Sequence, residues 1–296
     1  MRAAALAATL AAVAAPASAQ DRRAPGPWVV TLDGFTGYQA PADIDGGGDV
    51  AIGRAFGSVT VSRFRDPRNQ IGVTLGTGRT WYDFGGGAVA PWSDIRDARI
   101  SLPTRFAVSD RTTVTLVPSL RFDAEEGVDL ADGQTEGVFA AVTWRLSDRL
   151  TIGPGLGAFT GLDDDADVFP ILAIDWEIAP RLRLSTGQGV GASQGPGLTL
   201  SYALTDALRV GIAGRYESTQ FRLDDDGPAP GGIGEDEAFP VVATFTWEPN
   251  PGISASGFAG VETGGELTVR DADNRLVERR DVDPAPVAGL QVRVRF

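Results

Sequence analysis

The stretch Val287–Phe296, VAGLQVRVRF, decides how the rest of the chain is read. Ala288, Leu290, Val292, Val294 and Phe296 are apolar, and Gln291, Arg293 and Arg295 fall between them. A two-residue alternation marks a strand with one dry face and one wet face. Chain ends ordinarily fray and are polar. An alternation that runs out to an aromatic ring therefore predicts a closing strand, paired with a first strand near Trp28 to Tyr38.

Working back from that stretch, almost every segment after residue 19 repeats the period of two, and none sustains a helical period. Tight connections built from Asp, Pro, Asn or Gly recur at 65–69, 109–111, 147–149, 179–181, 205–207 and 248–252. Longer Gly- and Asp-rich connections alternate with them, at 40–49, 85–94, 125–134, 163–167, 192–196, 224–237 and 271–283. Phe64, Phe106, Trp144, Trp176, Tyr202 and Trp247 each stand a few residues before a tight turn, in phase with the apolar side of their strand. Phe296 holds the same place on the last strand. Seven strands that end on an aromatic, each with a returning partner, predict about fourteen.

A soluble sandwich would bury those rings between two sheets. It would not require short and long loops to alternate, or an aromatic at one height on every second strand. A membrane barrel requires both, because amphipathic rings favour the interface and because closure leaves no open edge. The expected fold is all-β, a closed antiparallel up-and-down transmembrane β-barrel of about 14 strands, with 12 as the alternative. The phase slips within 49–64 and 208–223, where a bulge or a loop is expected.

At the other end, Arg2, the apolar run 3–15 and Ala17-Ser18-Ala19 read as a secretory signal peptide, residues 1–19, cleaved before a single barrel domain, 20–296. Cys and His are both absent, and every basic residue is Arg. Disulfides, a Ser-His-Asp triad and His-bearing zinc sites are thereby excluded. A net charge of −13 argues against nucleic acid. GASQG, 191–195, matches a nucleophile elbow but has no His partner and no helix after it, so it reads as a loop. GPGLGA, 153–158, and GQGVGA, 187–192, carry glycines spaced by two, as a smooth inner wall would. DIDGGGD, 43–49, and DDDAD, 163–167, lack the spacing of a calcium loop. No enzyme, cofactor or metal is expected.

A charge facing lipid at mid-depth costs ~2–4 kcal/mol, so the arginines on the polar strand faces should line the lumen. By alternation these are Arg99, Arg105, Arg121, Arg145, Arg183, Arg209, Arg215, Arg293 and Arg295, with Asp123, Asp175, Glu177 and Glu217 as carboxylates among them. Facing rows of opposite charge can select solutes by size and charge, or simply brace the interior.

The signal peptide, the alternating strands, the ring residues and the final LQVRVRF resemble Gram-negative outer-membrane β-barrel proteins. The segment 264–296 is similar to a porin-like barrel family of unknown function, from which no residue roles carry over. The resemblance implies an outer-membrane location, lipid as surroundings, and a C-terminal strand read by the barrel-assembly machinery. It is poorer with specialised barrels: phospholipases and omptin-like proteases rely on His, and fatty-acid transporters carry a long N-terminal plug, whereas about eight residues, 20–27, precede the first strand here. Two functions are expected in competition. One is a passive porin-like channel for small hydrophilic solutes; the other is a closed structural or surface-interaction barrel that works through its acidic loops.

Overall fold

The terminal alternation closes a sheet. β17 (Ala285–Arg295) pairs antiparallel with β1 (Trp28–Asp43), from Thr31 opposite Arg295 to Gln39 opposite Val287. The computed structural model describes residues 28–162, 166–187 and 197–296. The signal peptide, residues 20–27, GASQG and most of GQGVGA lie outside the described residues.

From β1 the chain winds through β2 (Asp49–Asp66) and β3 (Asn69–Gly85), then β4 (Ile95–Ser101) and β5 (Thr104–Ala107). β6 (Thr112–Glu125), β7 (Gln134–Ser147), β8 (Leu150–Thr160) and β9 (Ala166–Ala179) carry it on. β10 (Leu182–Gly187), β11 (Gly197–Ala203), β12 (Leu208–Gly214) and β13 (Glu217–Arg222) follow, and β14 (Ile233–Asn250), β15 (Ile253–Arg270) and β16 (Leu276–Val282) complete the wall. Three segment pairs share their neighbours: β4 and β5 lie between β3 and β6, β12 and β13 both pair with β14, and β16 and β17 both pair with β15. The segments therefore amount to fourteen antiparallel strands. Pro103 and Pro284 stand in two of the breaks, where a residue without an N–H interrupts the ladder.

All six tight turns lie at one end of the barrel, with Trp28 and Phe296 beside them, and the longer connections lie at the other. Two of those connections are shorter than the sequence implied. Residues 276–282 form β16, which leaves only 271–275 as loop, and 233–237 belong to β14. β2, β14 and β15 are the longest segments, with 18 residues each.

The outer surface is a continuous apolar belt in which Leu32, Val59, Val61, Ile71, Val73 and Leu75 are exposed, with equivalents around the circumference. Aromatic rings border it on both sides. Phe106, Trp144, Trp176, Tyr202, Trp247 and Phe296 form the rim at the short-turn end, and all are exposed. A second rim, unforeseen from the sequence, holds exposed Tyr38, Tyr216 and Phe239 and half-buried Trp81, over which the Arg79 guanidinium lies at 5.8 Å. From Trp28 to Tyr38 along β1, ~3.3 Å per residue and a tilt of ~40° give a belt ~25 Å tall. Leu75→Arg, at mid-belt, should cost ~2–4 kcal/mol of unfolding stability in lipid. Denaturant titration in vesicles checks this, and little change would mean that the belt does not face lipid.

Five phenylalanines on the inner face lie flat over a glycine directly across the strand pair: Phe56 on Gly78, Phe159 on Gly137, Phe169 on Gly157, Phe221 on Gly234 and Phe258 on Gly289. A Cβ on any of these glycines would sit within 2.0–2.3 Å of the ring. Each glycine is thus a seat for its ring. Of the GPGLGA glycines, Gly157 seats Phe169, and a Cβ on Gly153 would strike the Val142 carbonyl at 1.8 Å. These positions draw neighbouring groups close, which differs from the widened wall expected of small residues.

Candidate functional site

Strand parity puts most of the predicted lumen residues inside, in three groups at different depths. The first surrounds the mouth at the short-turn end. The Arg183 Nε donates to Asp175 at 2.6 Å, with Glu177 opposite Arg183 in the ladder. Arg293 donates to Asp33 at 2.6 Å, and Arg209 stands 3.1 Å from Glu248. The Arg145 Nη2 donates to the Asp110 carbonyl at 3.0 Å, and Arg105 faces Gln70 and Thr115 across its two neighbours. These side chains are largely solvated, so their pairs add little stability and stay free to meet a solute.

Phe64 corrects the expected rim. Val59 and Val61 face outward and Ser62 is buried inward, so the same phase turns Phe64 into the mouth, where the Arg295 guanidinium covers it at 5.2 Å. Trp28, with Arg63 at 5.7 Å over its ring, fills the outer rim there instead.

The second group spans the middle of the lumen, and the sequence reading missed most of it. Arg54, on β2, donates to Glu262 of β15 through both terminal nitrogens, at 3.1 and 3.0 Å, and reaches Asp236 of β14 at 3.4 Å. The Tyr82 hydroxyl donates to the same Asp236 at 2.7 Å. Beside them the Arg215 Nε donates to Glu217 at 2.6 Å, and both residues are buried. Arg54 lies within the 49–64 segment whose alternation slips, and that slip was the available signal.

The third group is a pair of like-charged rungs. Asp97 stands opposite Asp123, and two residues nearer the short-turn end Arg99 stands opposite Arg121. Like charges directly opposite repel; Arg121 lies 3.7 Å from Asp123 on its own strand, and Arg99 and Arg121 both act through space on the two aspartates.

Above these groups the connections 86–94 and 223–232 fold over the lumen as a roof. Trp92, from 86–94, packs edge-on against Phe221 at 4.9 Å and Tyr82 at 5.6 Å. Leu223 and Ala229 of the following connection join them over Val50, Ile52, Leu267 and Val269 of the wall. β13 leaves the β12 direction after Gly214, and Arg222 makes a parallel bridge with Ala124 of β6, a strand that is not its wall neighbour. The buried Glu125 carboxylate clasps two connections, accepting from the Ser93 N–H at 2.6 Å and the Asp224 N–H at 3.0 Å. The glycines of DIDGGGD take positive φ at 46, 47 and 48 and serve the turn. Among the described residues, no three His, Cys, Asp or Glu converge as metal ligands do.

No family model and no curated protein matches the chain in sequence. Similar solved structures include an outer-membrane channel from Pseudomonas putida F1, at 13% identity over 93% of this chain and 97% of the other, with a TM-score of 0.49. A Pseudomonas aeruginosa FadL homologue shares 12% identity over 90% of both chains, with a TM-score of 0.47. The toluene transporter TodX of P. putida shares 9% identity over 92% and 91%, with a TM-score of 0.45. Such low identities carry no substrate across to this chain.

Proposed function

We propose that the chain is an outer-membrane channel for small hydrophilic solutes, closed in the conformation described above. An apolar belt ~25 Å tall between two aromatic rims suits a bilayer, and a charged, hydroxyl-bearing interior suits water. Short turns belong on the periplasmic side and long connections outside the cell. The ends differ in charge accordingly: arginines outnumber carboxylates towards the short turns, and carboxylates outnumber arginines by more than two to one towards the long connections. In this reading the partners are lipid and, through β17, the barrel-assembly machinery.

One observation carries the channel reading. The apolar block above the lumen is completed by β13, which continues the β12 wall strand along β14 and is bridged to β6, and by the connections 86–94 and 223–232, which belong to no wall strand and are fastened by one carboxylate clasp. Segments fastened in that way can move without opening the barrel. The second reading, a closed barrel that acts through its acidic loops, is favoured by the Arg54–Glu262 pair, which joins two wall strands across the interior.

A planar bilayer separates the two readings. Purified protein that inserts and gives stable conductance steps supports the channel, and a silent bilayer with correctly folded protein sinks it. Replacing Arg105→Ser together with Arg121→Ser should then move the reversal potential in a KCl gradient towards that of cations, since two inward guanidinium charges are lost. An unchanged potential would mean that neither side chain meets the ion path.

A further inference from the structure

In the middle of the lumen, buried carboxylates outnumber the guanidinium groups that reach them. Arg54 is divided between Glu262 and Asp236, and Arg215 is bound to Glu217. Arg121 approaches Asp123 only at 3.7 Å. Asp97 is left over. The residue is 7% exposed, its backbone carbonyl accepts from the Thr77 hydroxyl, and no hydrogen bond or ion pair among the described residues reaches its carboxylate. A buried carboxylate without a partner is costly, so native proteins pair it, neutralise it or coordinate an ion with it.

The Asp97 side chain lines a cavity of about 30 Å³. Asp123 adjoins it on the same wall, and Asp236 and Glu217 bound the far side, with the Thr80 hydroxyl and Arg54 between. That volume holds two water-sized particles. Since no three acidic side chains converge closely enough for chelation, the space does not suit a stripped divalent ion. It suits a singly charged ion that keeps part of its water shell.

We infer that the cavity between Asp97, Asp123 and Asp236 binds a small monovalent cation with a water molecule, bridging β4 and β6 to β14. The ion supplies in direct contact the positive charge that Arg99 and Arg121 bring to Asp97 only through space. It also explains how an Asp–Asp rung persists at directly opposed positions, where like charges repel. The inference goes beyond the channel reading and stands without it.

The test is thermal unfolding of the purified full-length protein in detergent, in sodium chloride and in choline chloride at equal ionic strength. Choline is too large for the cavity. An ion that binds only the folded state raises the melting temperature with its concentration, so sodium should add several degrees over choline, and Asp97→Asn should abolish the difference. Equal melting in the two salts overturns the site, and so does a sodium effect that survives both Asp97→Asn and Asp123→Asn. The comparison of salts on the unsubstituted protein needs no variant to fold. Should protons neutralise the pair instead, the two salts give one curve at every pH, and the inference fails. A silent bilayer with sodium-dependent melting sinks the channel and keeps the site; conductance with salt-independent melting does the reverse.

Discussion

A disulfide between Ala124→Cys and Arg222→Cys should abolish the conductance steps, and reduction should restore them. The two positions are bridge partners in the parallel contact between β6 and β13. Bridged residues of neighbouring strands place their Cα atoms ~5 Å apart, within the range a disulfide spans. The native chain has no cysteine, so the introduced pair meets no competing thiol. The bond would fix β13 over the lumen and hold Phe221 against Trp92. Opening by any other route, such as a shift of wall strands, would leave conductance the same with and without reductant, and the roof would then not be the gate. Glu125→Ala works in the opposite sense. It frees the Ser93 and Asp224 amides from their common acceptor, so the open fraction should rise. The readout is the dwell-time histogram of single channels.

The second large effect concerns Arg54. Its side chain is 12% exposed, and its removal leaves Glu262 and Asp236 facing each other in the interior without their shared cation. Breaking a buried pair by deleting one partner costs ~3–5 kcal/mol, mostly from the charge left behind. Arg54→Leu should therefore lower unfolding stability by about that amount, measured by urea titration in detergent. Arg54→Leu combined with Glu262→Leu removes both charges and should recover most of the loss. A double variant no better than the single one would shift the cause from charge to packing. If the pair also bars the ion path, the double variant should conduct more per channel.

The outline of the barrel was legible because its physics has one period. Where one strand face is dry and the other wet, as in VTWRL at 142–146, alternation marks both faces and the ring marks the rim. The tight turns, the strand number and the outward exposure of six of the seven aromatic rings follow from that rule. It fails wherever both faces are dry. Val50, Ala51 and Ile52 are all buried, Val50 and Ile52 beneath the roof and Ala51 on the opposite face. The local phase disappears, and with it the inward placement of Arg54 and Phe64. The irregularity that seemed to belong to 49–64 includes a register shift in β1, between Gln39 and Ala42. The slip within 208–223 is the departure of β13 from β12, a long-range contact with Trp92 and Ala124 that no local pattern encodes. The second rim could have been read. Tyr38, Trp81, Tyr216 and Phe239 each lie eight to ten residues along their strand from the first rim, on its outward phase.

The phenylalanines seated on glycines bear on how this sequence can vary between descendants. Enlarging Gly78 or Gly137 drives a methyl into a ring, and shrinking Phe56 or Phe159 bares a glycine backbone that then has nothing upon it. Either change alone is penalised, so the two members of each rung should be inherited and exchanged together. In an aligned set of relatives, the five rungs should appear as correlated columns that link adjacent strands. Such columns would fix the register of the wall from sequence alone, without any appeal to the hydrophobic alternation that fails around β2.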